Sequence, residues 1–121
     1  MTVLVWAGVV LIGGAGSVLR FLIDGAVASR TGRSFPYGTL VVNLSGAMLL
    51  GLVTGLALNH DGALLAGTAA VGSYTTFSTW MFETQRLAED RQVMSLAANV
   101  AVSLVAGVVA AALGTMIGSY L

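Results

Sequence analysis

Gly72-Ser73-Tyr74-Thr75-Thr76-Phe77-Ser78-Thr79-Trp80 sets hydroxyls, a glycine and aromatic rings in the middle of an apolar segment. A lipid-facing helix gains nothing from such a run. Backbone that leaves regular helix at membrane depth has to be buried in protein or line a cavity. Ser and Thr also serve as interhelical hydrogen-bonding glue in membranes, so the hydroxyls alone fit either reading. The run as a whole points to a place where something polar is handled.

The surrounding composition says what solvent this run sits in. The 121 residues are 57% hydrophobic and 8% charged, with a single proline, and the mean hydropathy is +0.94. Those values describe an integral membrane protein rather than a soluble domain. At about 20 apolar residues per spanning helix, most of the chain is expected to lie within the bilayer as one domain, 1–121, with no soluble catalytic domain. There are no cysteines and one histidine, which excludes disulfides, thiolate nucleophiles and the usual metal-ligand sets. With no His, Cys or acidic constellation at membrane depth, an enzyme is disfavoured.

Apolar runs outline four spans, about Val3 to Ile23, Gly38 to Leu58, Ala63 to Phe82 and Val93 to Leu121. The loops between them hold Ser29 to Ser34, Asn59 to Gly62 and Glu83 to Gln92. The first apolar run has no basic residue before it and is expected to be a retained helix, not a signal peptide. Among the 16 glycines, Gly51 with Gly55 and Gly114 with Gly118 form small-xxx-small pairs, and Gly13, Gly14 and Gly16 crowd span one. Such pairs are expected to let helix backbones approach.

All five basic residues are arginines, and Arg30, Arg33, Arg86 and Arg91 fall in loops one and three. The positive-inside rule then puts both termini outside and those loops in the cytoplasm. Arg20 stands apart near the end of span one, with Asp24 one turn later on the same face. It reads either as a snorkelling side chain whose cost Asp24 lowers, or as an attractor that raises the anion concentration at a vestibule. Asn43 interrupts span two, and a buried amide needs partners; an interhelical hydrogen bond and a ligand-facing donor both satisfy that. Asn99 and Ser103 lie four residues apart on one face of span four and, with Ser78 and Thr79, are expected to supply a polar track through the apolar bundle.

Three ordered motifs now carry a resemblance. They are Gly13-Gly14-x-Gly16-x-x-x-Arg20-Phe21, Gly38-Thr39-Leu40-x-x-Asn43-x-x-Gly46 and Gly72-x-x-Thr75-Thr76-Phe77-Ser78-Thr79. Together they cover nearly the whole chain, which resembles the Fluc (CrcB-type) fluoride channel family. The resemblance implies an all-α membrane protein of four transmembrane helices, the third broken near its middle, assembled as an antiparallel dimer with two fluoride pores. It implies passive fluoride export across a bacterial or archaeal-type cell membrane. It also implies a structural sodium ion on the backbone carbonyls of Gly72 and Thr75. The pore residues carry over to Asn43, Phe77, Ser78, Thr79 and Trp80, with Arg20 at the vestibule.

The residue types suit a small, strongly hydrated anion. The Asn43 amide and the Ser78 and Thr79 hydroxyls are donors, and an aromatic ring such as Phe77 offers a positive edge. Trp80 stands where a second Phe is usual, and its indole N–H is an added donor; Ser73 stands where a second Gly is usual. The strong arginine bias departs from subunits that insert both ways, so an oppositely oriented homologous subunit is the expected partner. Two other classes share the outline. A small multidrug exporter needs a membrane-embedded carboxylate, for which only Asp24 is on offer in span one, and a purely structural subunit leaves the polar set unexplained.

Overall fold

The structure is a computed structural model that describes residues 2–121, and among these it is helical with no strand. Helix α1 runs Val3–Thr31, α2 Tyr37–Leu56, α3 His60–Ala63, then a π-helical stretch Leu64–Val71, α4 Gly72–Tyr74, α5 Ser78–Glu89 and α6 Val93–Ser119. Helices α1, α2 and α6 are each long and apolar enough to cross a membrane by length and composition.

Local chemistry sets the ends. The Thr2 hydroxyl accepts from the Val5 amide at 3.2 Å and caps α1. Gly32, at φ 76°, ends it with its amide on the Ala28 carbonyl at 2.8 Å, a left-handed conformation that a Cβ disfavours. With no stop signal before Gly32, α1 continues past the apolar run and carries Arg30 in its last turn. At 1.5 Å per residue it is about 43 Å long, more than the ~30 Å hydrocarbon core requires. Helix α5 likewise extends through Arg86 to Glu89. The expected loops one and three are therefore shorter than the charges suggested. The Arg86 guanidinium donates to the Arg33 carbonyl at 3.0 Å, so these two arginines share one end of the bundle.

The stretch expected as a span from Ala63 to Phe82 is not one uninterrupted α-helix. Asn59 caps α3 by accepting from the Gly62 amide at 2.7 Å. Hydrogen bonding then widens to the π pattern, with the Gly72 amide on the Gly67 carbonyl. Helical geometry stops after Tyr74, and Thr75, Thr76 and Phe77 lie outside any helix before α5 begins.

Helices α2 and α6 meet backbone to backbone. A Cβ on Gly51 would run into the Ala111 carbonyl, one on Gly114 into the Met48 carbonyl, and one on Gly118 into the Leu52 carbonyl. The two small-xxx-small pairs thus form an intrachain seam, the close approach that small residues permit in membranes. The interior is small and partly polar: Leu87, Val42 and Asn99 are the largest fully buried side chains. Large apolar residues such as Leu11, Phe21 and Val108 are exposed, the inverse of a soluble surface and what lipid requires. Hydroxyls that share these helices return to their own carbonyls, as Ser17 does to Gly13 and Thr54 to Leu50.

Candidate functional site at the helix interruption

The interruption is held by reciprocal bonds to α2. The Thr76 amide donates to Asn43 Oδ1 at 2.9 Å, and Asn43 Nδ2 donates to the Thr76 carbonyl at 2.9 Å. One side-chain amide thereby satisfies both backbone polar groups of a residue that has left the helix, which buried backbone demands. Asn43 thus uses its carbonyl oxygen and one N–H on the chain; its second N–H is the donor left for a ligand. The Thr76 hydroxyl accepts from the Thr79 amide at 3.2 Å and caps the first turn of α5.

Opposite helix ends meet here. Thr75 is extended at ψ 161°. Its amide and hydroxyl both go to the Val71 carbonyl, at 3.0 and 3.1 Å, while the Thr76 amide goes to Asn43. Neither amide closes on the Gly72 carbonyl. Unpaired carbonyls carry the negative end of the preceding helical run, and the amides of Ser78 and its neighbours carry the positive end of α5. One interruption therefore offers cation-seeking oxygens on one side and anion-seeking donors on the other.

Two cavities adjoin it. The first, about 290 Å³, is lined by residues that include Arg20, Asp24, Thr39, Thr76, Ser78 and Thr79. The second, about 370 Å³, takes in Asn43, Gly72, Thr75, Phe77, Trp80 and Ser103. Thr76 lines both. The residues singled out in the sequence are thus brought together around one break, but on two sides of it. Phe77 is 70% exposed and stands against Trp80 with ring centroids 5.8 Å apart and planes at 76°, an edge-to-face pair.

Three details differ from the sequence expectation. Asp24 does not pair with Arg20: its carboxylate meets Arg33 at 3.9 Å, the one ion pair among the described residues. The helical spacing was right, but the loop folds Arg33 back over Asp24. Arg20 instead donates to the Thr75 carbonyl at 3.5 Å. Second, the Trp80 indole N–H is directed to the Asn99 carbonyl at 3.3 Å, so it is not a free donor. Third, of the pair on α6, Ser103 lines a cavity while Asn99 is buried behind it, 1% exposed.

Sequence reading passed over Thr39, Thr76 and Glu83. The Thr39 hydroxyl, buried on α2, donates to the Glu83 carboxylate in a short hydrogen bond, beside the first cavity. The position of Thr39 in Gly38-Thr39 and the lone acid at the end of an apolar run were the available signals.

No group of three or more His, Asp or Glu that could hold a metal ion occurs among the described residues. A hard cation here depends on carbonyl oxygens. The Gly72 carbonyl, which neither the Thr75 nor the Thr76 amide reaches, fits in kind, and the Thr75 carbonyl, which accepts from Arg20, keeps its second lone pair.

Apolar helices around a polar, irregular break define a multi-pass membrane protein of the kind that handles ions. The sequence profile described as CrcB-like protein, Camphor Resistance (CrcB), matches residues 7–115, and the chain belongs to the CrcB family. It is 65% identical over 117 residues to the fluoride-specific ion channel FluC 2 of Mycobacterium bovis, covering 97% of this chain and 93% of that one. It is 67% identical over 113 residues to FluC 2 of Mycolicibacterium paratuberculosis, covering 93% of each. FluC 1 of Frankia casuarinae is 42% identical over 118 residues, covering 90% of this chain and 92% of its own.

Proposed function

We propose that the chain is a subunit of a fluoride-selective channel, not an enzyme, which lets cytoplasmic fluoride leave a bacterial cell by passive electrodiffusion and so lowers fluoride toxicity. The observation that carries this reading is the break at Thr75 to Phe77, where Ser78 and Thr79, at the start of α5, line a cavity shared with Arg20. We read residues 60–89 as one membrane span broken at that point.

Fluoride gives up its water only to donors that replace it. Arg20, half-buried at the cavity wall, raises the local anion concentration. Ser78 and Thr79 then supply hydroxyl donors, the Asn43 amide its remaining N–H, and Phe77 and Trp80 the positive edges of their rings. Turnover requires that no single site bind too well, and neutral donors meet that condition. Replacing Arg20 with Gln should cut fluoride flux about tenfold at roughly 10 mM salt and much less at about 150 mM, where the Debye length shortens to about 8 Å. An equal loss at both salt concentrations would contradict focusing.

The reading includes an antiparallel dimer in which the Gly72 and Thr75 carbonyls of both subunits hold a structural sodium ion. The ion would supply a positive charge that pins the two breaks together. The arginine distribution supports a particular partner, an oppositely oriented homologous subunit: four arginines at one end of the helices and none at the other give one strongly preferred insertion. Reconstituting this chain alone and with an oppositely biased homologue, with valinomycin and potassium to relieve charge, tests the assembly. Fluoride efflux from the pair only, and only with valinomycin, is the expected result. Efflux from the single chain would refute obligatory pairing, and efflux without charge relief would refute electrodiffusion.

A further inference from the structure

Behind the Phe77–Trp80 pair, three side chains close a ring of hydrogen bonds between α5 and α6. The Trp80 indole N–H donates to the Asn99 carbonyl at 3.3 Å. Asn99 Nδ2 donates to Thr84 Oγ1 at 2.9 Å. The Thr84 hydroxyl donates in turn to the Trp80 carbonyl at 2.7 Å, which returns the ring to its start. Thr84 uses its hydroxyl as both donor and acceptor, and Asn99 is buried within an otherwise apolar stretch of α6.

An amide buried at that depth is costly unless bonded, so its retention calls for a task, and the ring supplies one. Trp80 is large and amphipathic, and its rotamer decides where the indole lies against Phe77. With the N–H tied to α6 and the backbone tied through Thr84 to the same Asn99, the indole has one bonded orientation. The Phe77 ring, mostly exposed in the cavity, is braced by that indole.

We infer that Thr84 and Asn99 are positioning residues that lock Trp80 and thereby set the width of the aromatic constriction, and with it the preference for fluoride over the larger chloride. This rests on the channel reading above. Neither residue lines the two cavities beside the break, so their effect on selectivity passes through Trp80. It also gives Trp80 a reason to differ from phenylalanine: its N–H is used to anchor the ring, not to bind the ion.

The test uses Trp6→Phe as background, which leaves Trp80 as the only tryptophan of the chain's two, in the assembly that conducts. Thr84→Val removes the hydroxyl at nearly constant volume, Thr84→Ser keeps it, and Asn99→Leu removes the amide. Thr84→Val is expected to red-shift Trp80 emission, increase its quenching by acrylamide, and lower the fluoride-to-chloride flux ratio about fivefold, the factor of one net hydrogen bond. Thr84→Ser should restore all three. Unchanged emission, or changed emission with an unchanged flux ratio, would overturn the inference. Should Asn99→Leu fail to assemble, the Thr84 pair decides alone. A parent without fluoride flux would overturn the channel reading and the selectivity role with it, while emission would still report whether the ring holds Trp80.

Discussion

Asn43→Leu should abolish fluoride flux and lower stability more than any other single change at the break. The substitution strips partners from both the amide and the carbonyl of Thr76, a buried residue, inside a region where water is not available to replace them. Each orphaned group costs about 1–3 kcal/mol, so the pair amounts to roughly 2–6 kcal/mol on the same scale. Asn43→Asp separates the two halves of the interaction. It keeps an acceptor for the Thr76 amide but turns an oxygen toward the Thr76 carbonyl, so it should be impaired as well. Thermal unfolding in detergent beside fluoride efflux measures both. A stable, conducting Asn43→Leu protein would show that α2 does not hold the break.

The second large effect concerns the seam. Gly114→Val puts branched carbons where the Met48 carbonyl already lies, and neither backbone can move without separating α2 from α6. Overpacking typically costs about 1–3 kcal/mol, and rigid backbone on both sides puts this case at or above the upper end. Gly13→Ala is the matched control, because a Cβ there meets nothing within 4 Å. With glycine about 1 kcal/mol worse than alanine in a helix interior, Gly13→Ala should be neutral or stabilising. Equal unfolding temperatures for the two variants would contradict the seam.

Much of this was legible in the residues. Composition fixed the solvent, the paired glycines marked where backbones meet, and the clash of hydroxyls with an apolar run marked the break, because those signals are local. What escaped depended on elements far apart in sequence. The spacing of Arg20 and Asp24 suggested a pair that a folded-back loop gave to Arg33. The bonds of Asn99 to Thr84 and of Trp80 to Asn99 exist only because α5 lies beside α6. The π-helical stretch Leu64–Val71 left no trace because every residue in it is apolar or small apart from Thr68, and a uniformly apolar run has no period from which to read its hydrogen-bond spacing. Helix ends beyond the apolar runs, at Arg30 and Arg86, were missed for a related reason: charge marks the membrane boundary, not the end of the helix.

The central claim is that the break forms a fluoride-selective path. The most direct measurement is anion release from liposomes carrying the conducting assembly, with matched internal fluoride or chloride and valinomycin to relieve charge. Rapid release of fluoride, with chloride retained as in empty liposomes, is the expected result. Equal release of both anions, or release of neither, would contradict it.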